Sequence, residues 1–497
     1  MPDTIPRRHV VAGLAAFALS GLPLRVRAEP AARAEPPALP LADRLAAYAD
    51  RLHYDDFDAA TVEQVKSLVI DTLGCAVAAL DEAPVRICRD VALAFAPTGG
   101  VSTIIGTSRR TSPDLAAFAN GAAIRYYDLN DVYVGRFTGH PSDSIAACLA
   151  VAEAEGASAS ELITAIVLVY EITCRLIDVL DITARGFDPP VLSLPAVALA
   201  SGKLMKIGAD KLTHAVNIAI NDHIPMGQTR AQALSDWKGL ADAEAGRNAV
   251  FAAQLARGGL TGPAPIFEGR LGFFKLVSGP AEIDVDAFGR RGVPFRILQC
   301  GMKAYPAVVY GQTAIVAGVA VAREVGALER IASIEVATSR RGYQQAGSDP
   351  EKWTPDTRDT ADHSLPYITA RAMLDGDITN DSYAPEKLRD PGIVALMRKM
   401  TVHEDPALTA RVSASVVPTR VTAILNDGQR IAREVDDVPG FVGRPMSRAD
   451  VERKFRSNVG ARWPRERTDA VLQELWALDR MENLSLLLRK LAVEPIR

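Results

Sequence analysis

Ser158-Ala-Ser-Glu161-Leu-Ile-Thr-Ala-Ile-Val-Leu-Val-Tyr170-Glu-Ile-Thr-Cys174-Arg-Leu176 is the stretch on which the fold turns. A serine followed three residues later by a glutamate is a capping box, each side chain accepting from the other residue's backbone N–H at a helix start. Behind it, Leu162–Leu176 is apolar nearly all round rather than along one stripe. A helix with no polar face has to be surrounded by other helices, so this one predicts the middle of a bundle.

Working outward, Thr61–Leu80 places Val62, Val65, Val69, Leu73, Ala76 and Leu80 on one face at helical spacing. Helix follows helix from Leu41 to about residue 260, where Gly259–Pro263 breaks the pattern. Past Ala281 the texture changes. Ile334 and Val336 alternate within Ser333–Thr338, and Val421, Ala423 and Leu425 run through Asp427-Gly428 into Ile431–Val435, the pattern of a β-hairpin. Helical segments Thr313–Val325 and Ile368–Leu374 lie between, and Thr468–Leu491 is again amphipathic. The chain has 497 residues, more than one compact core holds. The expected architecture is mainly α with an α+β second domain. A discontinuous all-helical domain is drawn from 41–275 and 448–497, and an α/β lid occupies 276–447.

Composition excludes several function classes. A net charge of −4 gives no basic face for nucleic acid, and no apolar run reaches the roughly 20 residues of a membrane span. Five cysteines without a C-x-x-C pair argue against a disulfide framework or a zinc ribbon. No H-E-x-x-H, Walker loop or G-x-G-x-x-G in a βαβ setting is present, so neither a metal nor a nucleotide is expected. At the N-terminus Arg7-Arg8 precedes a weakly apolar run, Val10–Leu24, then Arg25, Arg27 and an Ala/Pro/Glu-rich linker to Pro40. This reads as a twin-arginine export signal, which predicts a periplasmic location, with the cytoplasm as the alternative.

The chain has seven histidines, so the setting of each matters. Tyr127–Asp143 contains Asp128-Leu-Asn130-Asp131 and Gly139-His140-Pro-Ser142-Asp143, an acid-rich loop with glycines at 135 and 139. A carboxylate beside a histidine fixes its tautomer and raises its basicity, the requirement for acid/base work near neutral pH. The plainer alternative is a helix start capped by Ser142 or Asp143. Lys238, in Trp237-Lys-Gly239, lies between apolar helices, where an exposed helix-end lysine is the default. Lys303 precedes Ala304-Tyr305-Pro306 on a turn. In Asp359-Thr-Ala-Asp362-His363-Ser-Leu-Pro-Tyr367, six of nine side chains can hydrogen-bond, and Tyr367 reads either as a proton donor or as a core tyrosine. One histidine, two lysines, a tyrosine and several carboxylates suit removal of a C–H proton beside a carboxylate, with the cations neutralising the charge that develops.

Taken together, Asp128–Asp131, Gly139–Asp143, Tyr170-Glu-Ile172, Trp237–Leu240, Gly262-Pro263, Ile266–Gly269 and Thr360–Tyr367 resemble the MmgE/PrpD family, in order, from about Leu41 to the C-terminus. That family includes 2-methylcitrate dehydratase, cis-aconitate decarboxylase and iminodisuccinate epimerase, and the dehydratase branch looks closest. The resemblance implies a helical domain with an α/β lid, a homodimer, no metal or organic cofactor, and a small carboxylate substrate. Carried over by residue, it implies catalytic roles for Asp128, His140, Lys238, Lys303 and Tyr367. Asn130, Asp131, Arg230, Asp188 and His363 are expected to contact the substrate.

Two departures concern the substrate. Gly186-Phe-Asp188 stands where the decarboxylase branch has Gly-Phe-His, and Val308 and Tyr310 stand where the dehydratase branch tends to carry an acid and a histidine. The expected activity is a cofactor-independent dehydratase of a hydroxy di- or tricarboxylate, with His140 as acid/base oriented by Asp128. A decarboxylase, an epimerase and a catalytically silent carboxylate-binding protein are the alternatives.

Overall fold

Ser158 Oγ accepts from the Glu161 N–H and the Glu161 carboxylate from the Ser158 N–H, so the capping box forms and starts a helix over Ala159–Val179. The computed structural model describes residues 39–493 apart from 95, 97 and 98. The expected export signal lies outside the described residues. Every side chain from Leu162 to Cys174 is buried, as an all-round apolar surface demands. Ser193–Leu204 and Ile145–Glu155 pack on this central helix, and Pro113–Arg125 and Ala241–Arg257 pack on each other. The last pair is rich in small residues and approaches closely: a Cβ on Gly121 would come within 2.9 Å of Ala243 Cβ. Glu171, buried in the central helix, accepts from Gly289 N (2.7 Å), Arg296 N (2.6 Å) and Arg175 Nε (2.7 Å). A carboxylate so satisfied can be buried, and it ties the 289–296 segment to the bundle.

From Pro40 on, the chain is one compact unit whose described residues form two large hydrophobic cores and two small clusters. The first runs from Leu41 to Met302 and is completed by the chain end, where Val451, Phe455, Leu472, Leu475 and Leu488 fill it. Arg448–Val459 packs on Ala59–Ala78, with Phe455 against Gly74. The second core spans Ala307 to Phe441 and takes in Val132. Its sheet has the order Met400–Glu404, Ile331–Thr338, Thr419–Leu425, Arg430–Val435, parallel in the first pair and antiparallel in the others. The last two strands are the expected hairpin, with Ala423 opposite Ile431. Val309–Val325 packs on these strands and on Leu365–Asp375. The fold is mainly α with an α+β portion, as read from the sequence.

The amphipathic stretch Thr468–Leu491 is helical as expected, divided into Arg465–Trp476, a 3-10 turn at Leu478–Arg480, and Leu484–Lys490. Asn483 accepts from the Leu486 N–H and so caps a new helix where the periodicity alone continues. No helix among the described residues is long and apolar enough to cross a membrane.

Candidate active site

The helix Pro113–Arg125 runs out at Tyr126-Tyr127, and Asp128 then takes φ 51°, in the left-handed region. Aspartate is among the few residues that visit this region, and the turn brings its carboxylate back onto the Arg125 guanidinium. The chain continues as a small hairpin, Asp131–Val134 with Thr138–Gly139. A Cβ on Gly139 would stand 2.5 Å from Ile177 Cδ1, so glycine is what lets the hairpin lie against the central helix. The first strand also pairs with Gly301–Met302, through Asp131 opposite Met302, and this delivers Lys303 beside Asp128. Lys303 Nζ lies 2.8 Å from Asp128 Oδ1 and donates to the Asp128 carbonyl at 3.0 Å.

Two histidines meet at the same carboxylate. His140 Nε2 is 3.9 Å from Asp128 Oδ1 and His363 Nε2 is 3.8 Å from Asp128 Oδ2. His140 Nδ1 bonds the Asp131 carbonyl at 2.6 Å, so a backbone oxygen orients it rather than the Asp128 side chain expected from sequence. His363 Nδ1 bonds Asp362 Oδ1 at 2.6 Å. Lys238 Nζ donates to both Asp362 oxygens, at 3.0 and 2.9 Å. Far from being exposed at a helix end, Lys238 is wholly buried behind the Asp362–His363 pair. The alternative reading of the loop as a plain helix cap does not hold: Ser142 Oγ donates to Asp131 Oδ1 at 2.5 Å, and Asp143 Oδ1 accepts from Asn130 Nδ2 at 2.6 Å.

Burial and neighbouring charge set the protonation states. Burial, then Arg125 and Lys303, hold His140 well below the usual imidazole range. Burial and Lys238 push His363 down to about 4, against Asp362. Both imidazoles are therefore neutral at neutral pH, with Nδ1–H spent on the anchor and Nε2 carrying a lone pair. Asp128 goes the other way. Burial alone would raise it, but Arg125, Lys303 and Lys238 take it well below the carboxylate range. Burial lowers Lys303 to about 8, which keeps it a cation at neutral pH and an effective acid.

These groups face a cavity of roughly 170 Å³, room for a small metabolite and well short of the ~300–1,000 Å³ of a drug-sized site. Of the predicted residues, Asp128, His140, Asp188, Arg230, Lys303 and His363 line it. Lys238, Asn130 and Asp131 do not; their backbone carbonyls bond three residues that do, Arg230 (2.8 Å), the Lys303 N–H (3.3 Å) and His140 Nδ1 (2.6 Å). Tyr367 does not line it either: it sits in the second core and its hydroxyl donates to the Ser382 carbonyl at 2.5 Å. The core alternative for Tyr367 is the one the geometry supports.

Arg125 and Asp242 also line the cavity and were not singled out from sequence. An arginine three residues before Asp128, ending a helix of alanines, was the available signal. Arg230 uses three of its five N–H donors, on Asp188 Oδ1 (2.9 Å), the Lys238 carbonyl (2.8 Å) and Asp242 Oδ2 (3.1 Å), and keeps two for a ligand carboxylate. Among the described residues no group of three or more His, Cys, Asp and Glu is arranged to hold a metal ion.

Comparison with known proteins places residues 43–286 on the MmgE/PrpD N-terminal domain and residues 305–478 on the MmgE/PrpD C-terminal domain. The chain is 27% identical to a 2-methylcitrate dehydratase of Cupriavidus necator over 432 residues, covering 82% of this chain and 88% of that protein. It is 26% identical to a 2-methylcitrate dehydratase of Escherichia coli K12 over 448 residues, covering 84% and 89%. It is 25% identical to a cis-aconitate decarboxylase of Mus musculus over 395 residues, covering 77% and 79%.

Proposed function

We propose that this chain, which belongs to the MmgE/PrpD family, is a dehydratase of the 2-methylcitrate dehydratase type. It removes a proton α to a carboxylate of a small hydroxy acid and expels hydroxide from the neighbouring carbon. The observation that carries the reading is the Asp128 carboxylate shared by two neutral imidazoles and the Lys303 ammonium. Arg230 takes the substrate carboxylate on its two remaining N–H groups.

His363 Nε2 removes the α-proton, because the Asp362 carboxylate behind it stabilises the imidazolium that forms. The C–H electron pair becomes the new C=C bond and the C–O bond breaks. His140, kept neutral by Arg125 and Lys303, accepts the hydrogen of the substrate hydroxyl and aims that C–O bond. Lys303 has one N–H beyond the two on Asp128 and protonates the departing hydroxide. The products are the unsaturated acid and water. Asp128, between His363 and Lys303, is placed to return the proton from one to the other. Tyr367, the donor expected from sequence, has no part in this scheme.

Proton NMR of purified protein with 3-hydroxy mono-, di- and tricarboxylates is the test. Appearance of an unsaturated acid, seen as a vinylic signal or, where the α-carbon is substituted, as loss of the α-proton signal with the substituent shifted, supports the reading; CO₂ release, or α-deuteration in D₂O without loss of water, replaces it with decarboxylation or epimerisation. Export through the first forty residues and a homodimeric assembly belong to the same proposal. Periplasmic fractionation with Arg7→Lys/Arg8→Lys as control, and light scattering of the purified protein, check them.

A further inference from the structure

Three side chains stand in the walls of two cavities at once. Thr138, Thr183 and Gln345 line the cavity that Asp128 and the two histidines face, and they also line an outer chamber of roughly 620 Å³. They form the neck between the two. Thr138 belongs to the small hairpin of the first core. Gln345 comes from Arg340–Ala346, the short helix that follows strand Ile331–Thr338 of the second core. The neck is thus built from both cores. Thr183 Oγ1 is spent, donating to Asp181 Oδ1 at 3.3 Å. The Thr138 hydroxyl and the Gln345 amide are half-buried and have no partner among the described residues. Unpaired donors in a cavity wall are disposed toward a ligand.

A hydroxy di- or tricarboxylate brings more than one carboxylate, and Arg230 takes the first. The rest of the wall decides where the next one goes. Asp128, Asp188 and Asp242 repel it. Phe187, Pro189, Val308 and Val309 offer no donor and would strip its hydration without return. Arg125 is a cation, yet Asp128, Asp143 and Asp242 already ring it. Lys303 has two of its three donors on Asp128 and the third at the departing hydroxide. The neck remains, with one O–H from Thr138 and two N–H groups from Gln345. A cation stands just outside it. Arg341, four residues before Gln345 on the same helix, lines the outer chamber. Its bonds to Thr183 Oγ1 and Asp181 Oδ2 are both 3.4 Å, long enough for an arriving carboxylate to compete with.

We propose that Thr138 and Gln345 form the subsite for the second carboxylate of the substrate, while Arg230 holds the carboxylate beside the α-proton. The inference rests on the reading of the substrate as a hydroxy di- or tricarboxylate. In malate the second carboxylate is the one on the hydroxyl-bearing carbon. A ligand with a methyl group in its place leaves the neck's donors without a partner, and a site built to hydrogen-bond a group rejects the analogue that lacks it. Thr138 and Gln345 therefore select for the second carboxylate, one from each core.

Calorimetric titration of the purified protein with malate, citrate and 3-hydroxybutyrate, which carries a methyl group where malate has its second carboxylate, tests this. Malate and citrate are expected to bind about thirtyfold more tightly than 3-hydroxybutyrate, or ~2 kcal/mol. Gln345→Leu cuts that ratio about tenfold and Thr138→Val about threefold. Thermal unfolding shows that each variant is folded. Wild-type protein that binds 3-hydroxybutyrate as tightly as malate overturns the proposal, and so do folded variants with an unchanged ratio. Malate and citrate both failing to bind overturns it together with the substrate class it rests on. The expected ratios without an unsaturated product sink the dehydratase reading and leave this inference standing. Fumarate formed from malate at an unchanged KM in both variants does the reverse.

Discussion

His140 and His363 reach one carboxylate from two different parts of the molecule. The first stands on a hairpin pressed against the central helix of the first core. The second stands on the turn before Leu365–Asp375, in the second core. Their Nε2 atoms lie 3.9 and 3.8 Å from the two oxygens of Asp128, and each spends Nδ1 at 2.6 Å. The anchors differ. A carbonyl behind His140 orients the ring and adds no charge, while a carboxylate behind His363 also compensates a proton taken up at Nε2. Arg125 and Lys303 further oppose protonation of His140. Two imidazoles of matching geometry are thus given unlike chemistry, one suited to taking a proton and the other to accepting a hydrogen bond.

The largest expected effect breaks that comparison directly. His363→Gln is predicted to lower kcat by about 10³, within the range for loss of a general base, and to abolish exchange of the substrate α-proton in D₂O. His140→Gln is predicted to lower dehydration by about 10² and to leave α-proton exchange measurable, because the base is still present. Exchange lost in His140→Gln and kept in His363→Gln would swap the two roles. Next comes Asp362→Asn, which removes the charged anchor and leaves buried Lys238 with Asp359, 3.9 Å away, in place of its close counter-ion. Calorimetric unfolding is expected to show a loss of about 3–5 kcal/mol, and kcat in the folded fraction a loss of about tenfold to hundredfold.

The pH profile sharpens the comparison with a smaller effect. The scheme needs neutral imidazoles and a protonated Lys303. His363, lowered to about 4, is neutral above that pH, and Lys303, lowered to about 8, is charged below it. kcat/KM is therefore expected to be flat from about pH 5 to 7, to fall about tenfold per unit above about 8, and to decline only near 4. An acid limb near the ordinary imidazole value of ~6.5 would mean that the catalytic histidine is not the buried one seen here.

Much of this was legible in the sequence, and what was not has a common cause. Periodicity carries information about a residue's own neighbours, so Ser158–Leu176 and the Asp427-Gly428 hairpin were readable. His140 and Lys303 stood out because each is polar on a Gly- or Pro-marked turn. Lys238 reads locally as an exposed helix end, and only the arrival of Asp362, 124 residues later, accounts for its burial. Arg125 and Asp242 look like ordinary helix-terminal charges until the two small-residue helices come together and place them on one wall.

Tyr367 is the sharpest instance, and its removal is the smallest expected effect. Its place in the Thr360–Tyr367 block suggests a proton donor, yet the direction of a hydroxyl depends on which acceptor the fold brings to it. Here that acceptor is the Ser382 carbonyl, 15 residues on, with the Arg371 guanidinium over the ring. Burial also pushes the phenol up to about 12, so it gives up its proton less readily than Lys303. Tyr367→Phe keeps the ring and deletes one buried hydrogen bond, leaving a carbonyl without its partner. The expected cost is about 1–2 kcal/mol in unfolding free energy, with kcat within about twofold of wild type. A hundredfold loss of kcat at unchanged stability would return Tyr367 to the site and require this loop to rearrange when substrate binds. A loss of stability alone leaves Lys303 as the group that protonates the departing hydroxide.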